Sequence, residues 1–325
     1  MHKWWQQIKK YWWPGIIAVL IVFCFGPYMR LGLPVTHDGE NHVARFAQYY
    51  LALRQGQVPP RLGPTLENGY GYPVFNFNYP LSNILSVPLI AVRLHPELVF
   101  KILAVGYVCL GAWSWWQWQK ARGMKRAALG WSTLAYVWAP YLYNSIWYRG
   151  NIGEIAAWAL VPLVAWQIER CREDKAWAWS TLTISLAAFC LCHNIFVMLM
   201  IPCLFGYALV RMRGMTEKKR FGQLLGAFGL AVAVTLWFWL PALVEKKLTV
   251  LDGAGLNQEY LLHFPTLSQL LSFNYSGGLS YPGRIDGLSL GAGLVLVLTL
   301  GVASVKTLLC RCNRQSLTTK IVVID

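Results

Sequence analysis

The chain has 325 residues, of which 56% are hydrophobic and 13% are charged, and its formal net charge at pH 7 is +15. This composition excludes an ordinary soluble core and indicates an all-α polytopic membrane protein. In such a protein the positive charge collects in cytoplasmic loops. Because no basic tail or nucleic-acid-binding module occurs in the sequence, no nucleic-acid partner is expected. Most of the eight cysteines lie inside apolar segments, so neither a structural disulfide nor a zinc site is expected.

The first apolar segment, from Pro14 to about Leu33, follows three lysines and is the first predicted membrane span. No small-residue cleavage site follows it, which predicts a retained anchor rather than a removed signal peptide. Residues 34–81 come next and are far too polar to cross a bilayer. We interpret them as an external active-site loop that carries interfacial helices.

Two acids stand near the beginning of this loop. Asp38 and Glu40 are one residue apart and project the same way if the backbone is extended. They predict either a site for a divalent cation, Mg²⁺ or Mn²⁺, or a general base at Asp38. The metal-free base is favoured, because two acids alone hold a cation weakly and no third oxygen ligand is obvious nearby. The competing explanation is that Asp38 only caps a helix, with Glu40 in the first turn, where the helix dipole favours acids.

An amphipathic helix is predicted after the acids. Apolar residues recur there with helical spacing, at Val43, Phe46, Ala47, Tyr50 and Leu51. A helix of this kind can lie flat on the membrane, close to a lipid substrate.

The segment 82–93 is apolar but short for a span, and its interpretation decides the topology. A re-entrant or interfacial helix there leaves most of the 29 Lys and Arg residues on the cytoplasmic side, whereas a full span moves most of them outside. The positive-inside rule favours the first arrangement. It predicts a single integral membrane domain, residues 1–325, with about eight spans and both termini cytoplasmic. The other predicted spans are Leu98–Trp118, Ala128–Trp147, Ile155–Ile168, Trp177–Cys192, Ile195–Val210, Gly222–Leu243 and Leu288–Val305.

This topology brings further polar residues to the outer face. Arg149 is a natural phosphate ligand because its planar guanidinium binds two oxygens, and Glu154 either orients it or acts as a second acid. The alternative is a purely structural Arg–Glu pair at a helix end. His193 lies in a tight outer turn between two spans, where a helix-capping role is equally expected. Residues 244–287 are predicted to form a second external loop, which is expected to help shape the acceptor-binding site.

Several short patterns resemble the bacterial membrane family named for a 6-pyruvoyl-tetrahydropterin synthase-related domain. In the first loop they are the acid-x-x-x-His pattern of Asp38 and His42, Gly56-x-x-Pro59-Pro60-Arg61, Gly69-Tyr-Gly-Tyr-Pro73-x-Phe75 and Tyr79-Pro80-Leu81. The pattern Arg149-Gly-x-x-x-Glu154, between two spans, also resembles this family. The family in turn looks like the GT-C glycosyltransferases, which place acidic residues in the first external loop and use polyprenyl-phosphate-linked sugars.

The resemblance implies a GT-C-like helical bundle in the bacterial inner membrane, acting in the cell envelope. Its expected reaction is hexosyl or pentosyl transfer from a polyprenyl-phosphate-linked donor to a glycan, lipid or protein acceptor outside the bilayer. The implied catalytic residues are Asp38 and Glu40, and the implied substrate- or phosphate-binding residues are His42, Arg149, Glu154 and His193.

A second hypothesis is a non-catalytic lipid or glycan handler, such as a flippase component or an assembly scaffold. Such a protein uses the same basic and aromatic surface but needs no base. Members of the resembled superfamilies commonly continue with more spans or a soluble domain, so the sequence is expected to be a short or C-terminally truncated member.

Overall fold

The computed structural model describes residues 2–213, 218–250 and 264–271, together with residues 291, 293, 297–299, 301–302 and 305. The described residues are largely helical and contain no β-strand beyond an isolated bridge between Gly63 and Tyr72. The chain divides into two compact units, one of residues 1–138 and 145–257 and one of residues 139–144 and 258–325. Most of the predicted span Leu288–Val305 and most of the second external loop fall outside the described residues.

The helices, numbered in chain order, are α1 His2–Phe25, α2 Gly39–Arg54, α3 Leu81–Ala91, α4 Pro96–Ala121, α5 Arg126–Val137, α6 Pro140–Asn144, α7 Ile152–Arg172, α8 Ala178–Cys190, α9 Asn194–Arg211, α10 Lys218–Glu245 and α11 Leu267–Leu270. Helices α6 and α11 belong to the second unit. Four stretches of the described chain are long and apolar enough to cross a membrane, namely Pro96–Ala121, Ile152–Arg172, Asn194–Arg211 and Arg220–Leu248. The described part is therefore a helical membrane protein with four candidate spans, and the larger number of eight stays a prediction.

Helix α7 is the central helix of the first unit. Within its most apolar stretch 78% of the residues are buried, against 17% for α9 and 22% for the span Arg220–Leu248, which overlaps α10. Helix α4 packs closely on α7 because both carry small residues at the contact: a Cβ added to Gly111 would lie 3.3 Å from the Cα of Ala159. Small residues at such contacts let helix backbones approach each other in a membrane, where dispersion forces and not water drive association.

A buried acid joins α7 to α9 at one end of the bundle. Glu169 is fully buried, and it accepts hydrogen bonds of 2.6 and 2.9 Å from the Arg211 guanidinium. The hydroxyl of Tyr207 donates to the same carboxylate. A buried charge is tolerated only when it is paired and hydrogen-bonded, so this cluster fixes the relative position of the two helices.

At the opposite end the polar loop 34–81 is attached to the helices by hydrogen bonds. Buried Lys101 of α4 donates to the carbonyls of Arg30 and Gly32, just before the loop, at 2.6 Å each. Arg61 donates to the Trp237 carbonyl at 2.6 Å, and the Asn76 amide donates to Glu245 at 2.6 Å. The loop is thus held against the start of α4 and the end of α10.

Two predicted spans differ from the structure because of prolines. Helix α1 ends at Phe25, not near Leu33, since Pro27 has no N–H to continue the hydrogen-bond ladder and a 3₁₀ turn begins there. The predicted span Ala128–Trp147 is not one helix. Helix α5 ends at Val137, and Pro140 begins a new short helix. Twelve residues of α5 extend only about 18 Å, short of the roughly 30 Å hydrocarbon core.

The amphipathic helix exists as α2, but its buried face is rotated from the predicted one. Gly39, His42, Phe46, Tyr49 and Ala52 are buried. Of the predicted stripe, only Phe46 is among them. The prediction counted apolar residues alone, whereas His42 packs as an aromatic ring, stacked on Phe100 of α4 with centroids 6.4 Å apart. The inner face of α2 is therefore covered by protein.

Candidate functional site

Two loops that are distant in sequence meet along a short backbone contact, which we call the seam. The N–H of His37 donates to the carbonyl of Tyr148 at 3.0 Å, and the N–H of Asp38 donates to that of Arg149 at 2.8 Å. Gly150 adopts φ +61°, and a Cβ there would lie 2.8 Å from the Thr36 Cβ and 3.0 Å from the Gly39 nitrogen. Glycine is thus required for the close approach. The seam brings the predicted residues Asp38 and Arg149 to one place.

Asp38 occupies the N-cap position of α2, but its side chain makes no capping hydrogen bond. The Thr36 hydroxyl takes that role and accepts the N–H of Gly39 at 3.1 Å. The half-buried Asp38 carboxylate instead accepts a long hydrogen bond, 3.4 Å, from the side-chain amide of Asn151. The alternative that capping explains Asp38 is therefore not supported by the geometry, and its carboxylate remains available for chemistry.

Asn151 is a site residue that the sequence analysis missed. Its side-chain oxygen caps α7 by accepting the N–H groups of Gly153 and Glu154, each at 3.2 Å, and it also accepts the Tyr79 hydroxyl at 2.8 Å. The signal was present in the sequence, because Asn followed three residues later by Glu before an apolar run is typical of a helix N-terminus. Asn151 thus joins α7, the Asp38 loop and Tyr79.

Arg149 and Glu154 form an ion pair, as the orienting role and the structural alternative both require. The guanidinium lies 2.8 Å from the Glu154 carboxylate, and the two side chains are 35% and 4% exposed. The hydroxyl of Ser145 also donates to Glu154, at 3.0 Å. The buried carboxylate is therefore held by donors from Arg149 and Ser145, while the outer side of Arg149 faces solvent.

Tyr79 lies between the two predicted histidines. Its ring centroid is 5.9 Å from that of His42 and 4.9 Å from that of His193. Its hydroxyl is 3.4 Å from Nε2 of His42. Burial raises the pKa of Tyr79 well above its usual value, although the charge of Arg45 lowers it in part, so the hydroxyl stays protonated. In the sequence Tyr79 was only part of a motif, and its place between the two histidine rings needed the structure.

Both histidines are neutral at physiological pH. Burial, and then the charges of Arg45 and His193, lower the pKa of His42 to about 3. Burial, and then the charge of Arg149, lower the pKa of His193 to about 4. Nδ1 of His193 accepts the N–H of Phe196 and so caps α9, as the alternative role required. The imidazole proton therefore lies on Nε2, which is 3.9 Å from Glu154, too far for a hydrogen bond.

Glu40 does not join this group. Helix α2 begins at Gly39, so the backbone is helical there and not extended. Residues two apart are separated by about 200° of rotation around the helix axis and therefore project from nearly opposite sides. The Glu40 side chain is exposed and makes no hydrogen bond or ion pair with the described residues. The premise that both acids project the same way is wrong.

The donor set around Asp38 fits a divalent cation poorly. Asp38 already accepts a hydrogen bond from Asn151, and Glu40 points elsewhere. In the part of the chain that the structure describes, no group of three or more His, Cys, Asp or Glu residues is arranged to hold a metal ion. Hard cations of this class prefer six or more oxygens. The roles proposed for these residues therefore involve no cation.

A family model described as "6-pyruvoyl-tetrahydropterin synthase related domain; membrane protein" matches residues 75–323, well over half of the chain. The match includes Tyr79, Arg149, Asn151 and Glu154, whereas the start of the first loop, with Asp38, precedes it. Neither the curated proteins nor the solved structures contain a significant match. The chain therefore belongs to the 6-pyruvoyl-tetrahydropterin synthase related family of membrane proteins.

Proposed function

We propose that this protein is a GT-C-like glycosyltransferase of the bacterial inner membrane, with both termini cytoplasmic and the seam on the outer face. It moves a hexose or pentose from a polyprenyl-phosphate donor to a hydroxyl or amine of a glycan, lipid or protein acceptor. The observation that supports this most is the position of Asp38, whose side chain does not cap its helix and whose backbone is hydrogen-bonded to that of Arg149 in the seam. An acid and a cation from different loops, at one end of an apolar bundle, suit transfer from a lipid phosphate.

In the proposed reaction the acceptor oxygen or nitrogen attacks the anomeric carbon and forms the new glycosidic bond. The bond from that carbon to the phosphate oxygen breaks, and its electron pair stays on the leaving polyprenyl phosphate. The acceptor proton passes to the Asp38 carboxylate, which acts as general base. The Asn151 amide, fixed by its own contacts with α7 and Tyr79, orients that carboxylate.

Negative charge grows on the leaving phosphate and needs a fixed positive charge nearby. Arg149 supplies it on the His193 side of the site. Glu154, held by Ser145, fixes the direction of the guanidinium, whose solvent-facing edge keeps free donors for phosphate oxygens. The neutral histidines and the protonated Tyr79 add no competing negative charge to this region.

The experiment is sugar transfer by the purified full chain in proteoliposomes, with radiolabelled polyprenyl-phosphate hexoses and pentoses as donors and lipid extract as acceptor. Asp38→Asn keeps the shape of the side chain and removes the base, so turnover is expected to fall about 10²–10⁴-fold with donor binding unchanged. The matched control is Glu67→Gln, which makes the same charge change at an exposed position of the same loop and should leave turnover unchanged.

Full transfer by the Asp38→Asn protein contradicts the proposed base. Donor binding without transfer, for every donor and for the wild-type protein, favours the non-catalytic lipid or glycan handler instead.

A further inference from the structure

Arg45 is a cation of the site that neither the sequence motifs nor the proposed mechanism uses. It lies on α2, seven residues after Asp38 and three after His42, so helical geometry places it on the same stripe as both. Its side chain is half-buried, and its guanidinium makes no hydrogen bond or ion pair with the residues that the structure describes. Its charge acts on both His42 and Tyr79, where it lowers the pKa of each ring.

The two arginines of the site are not equivalent. Arg149 is 2.8 Å from the buried Glu154 carboxylate and therefore shares its charge with that partner. Arg45 has no such partner within the described chain, and Asp38 lies two helical turns away, about 10 Å along the axis. The row of three neutral rings, His42, Tyr79 and His193, thus has an arginine paired with a carboxylate at its His193 end and an arginine without such a pair at its His42 end.

A half-buried guanidinium that no carboxylate neutralises keeps its planar set of donors available for the oxygens of an anion. We propose that Arg45 is a second, direct anion ligand of this site, and that the anion is a phosphate ester. Arg149, which is paired with Glu154, contacts the same phosphate through its solvent-facing edge. That the phosphate is carried by a polyprenyl lipid rests on the proposed function, whereas the anion site itself rests on the geometry of Arg45.

The test uses the purified full chain in an uncharged maltoside detergent, which contains no phosphate. Citronellyl phosphate and inorganic phosphate are titrated separately by calorimetry at about 0.15 M ionic strength. The variant is Arg45→Gln. Its matched control is Arg54→Gln, an exposed arginine on the same helix with the same charge change. Arg54 lies about 13 Å further along the axis, beyond the Debye length of about 8 Å.

We expect Arg45→Gln to weaken phosphate binding about 10- to 100-fold, the usual range for a charge-assisted hydrogen-bonded contact, and Arg54→Gln to change it less than about twofold. Equal melting temperatures of the two variants show that both are folded. Tighter binding of citronellyl phosphate than of inorganic phosphate indicates a lipid-borne ligand, and equal binding indicates free phosphate.

Wild-type affinity in the Arg45→Gln protein, or an equal loss in the Arg54→Gln protein, overturns the inference. Failure of sugar transfer by the wild-type protein, with phosphate binding that still depends on Arg45, overturns the proposed function and leaves the anion site standing.

Discussion

The seam makes a steric prediction at Gly150. Alanine there must adopt φ +61°, which costs about 1–2 kcal/mol for a residue with a Cβ. The new Cβ would also overlap the Thr36 hydroxyl and lie 3.0 Å from the backbone nitrogen of Gly39, closer than real Cβ atoms normally approach. Overpacking of this kind costs about 1–3 kcal/mol. Gly150→Ala is therefore expected to destabilise the protein by about 2–5 kcal/mol in all.

Alanine substitutions at two other glycines distinguish the free-energy cost of a positive φ from the cost of steric overlap. Gly123 has φ +79° with open space around its Cβ position, so Gly123→Ala carries only the backbone cost of about 1–2 kcal/mol. Gly106 lies inside α4 with open space and no positive φ, so Gly106→Ala is expected to be neutral or to stabilise the helix by up to about 1 kcal/mol. Stability is therefore expected to fall in the order Gly106→Ala, Gly123→Ala, Gly150→Ala.

The assay is the apparent melting temperature of each purified variant in one detergent, with sugar transfer measured in parallel. On a scale of about 2 °C per kcal/mol, Gly150→Ala should melt roughly 4–10 °C below the wild-type protein. It should also lose most transfer activity, because the added Cβ pushes the Asp38 loop away from the Arg149 loop. A Gly150→Ala protein that melts and works like Gly106→Ala refutes the seam as described.

Three further predictions concern topology, pH and metal dependence. Cysteine introduced at Asn68 should react with an impermeant maleimide from outside intact cells, whereas cysteine at Lys175 should react only after permeabilisation. The reason is that the first loop and the α7–α8 turn lie at opposite ends of the helices. The reverse labelling pattern would show the opposite orientation. The apparent melting temperature should be constant well above pH 6.5 and fall as the pH drops towards 4, because the unfolded chain takes up protons at His42 and His193 there and the folded one does not. His193→Asn still caps α9 but does not titrate, so its melting temperature should fall less, and an equally steep fall would assign the effect to other groups. With Asp38 as a metal-free base, a chelator should leave sugar transfer unchanged, and Glu40→Gln should reduce transfer less than Asp38→Asn does. Loss of transfer in the chelator would instead indicate a catalytic divalent cation.

Part of the site could be predicted from sequence and part could not. Asp38, Arg149, Glu154, His42 and His193 were each singled out from loop position and residue chemistry, and the structure brings all five together. Glu40 was singled out by its spacing from Asp38, but that argument assumed an extended backbone, and the helix begins one residue too early for it. No motif pointed to Arg45 or Asn151 as site residues, because Asn151 matters through its contacts with Asp38 and Tyr79, and Arg45 through its place on the face of α2 that carries His42.

The sequence by itself determined the membrane class, the helical character and the position of the polar first loop, because hydropathy is a property of contiguous residues and a bilayer demands helices of them. Only the tertiary structure decided which residues share the site. The hydrogen bond between Asp38 and Asn151 joins residues 113 positions apart, and the rotation of α2 that buries His42 depends on the rings of α4 and on Tyr79. Contacts at that separation depend on the packing of several helices at once, and a local pattern of residues does not contain that information.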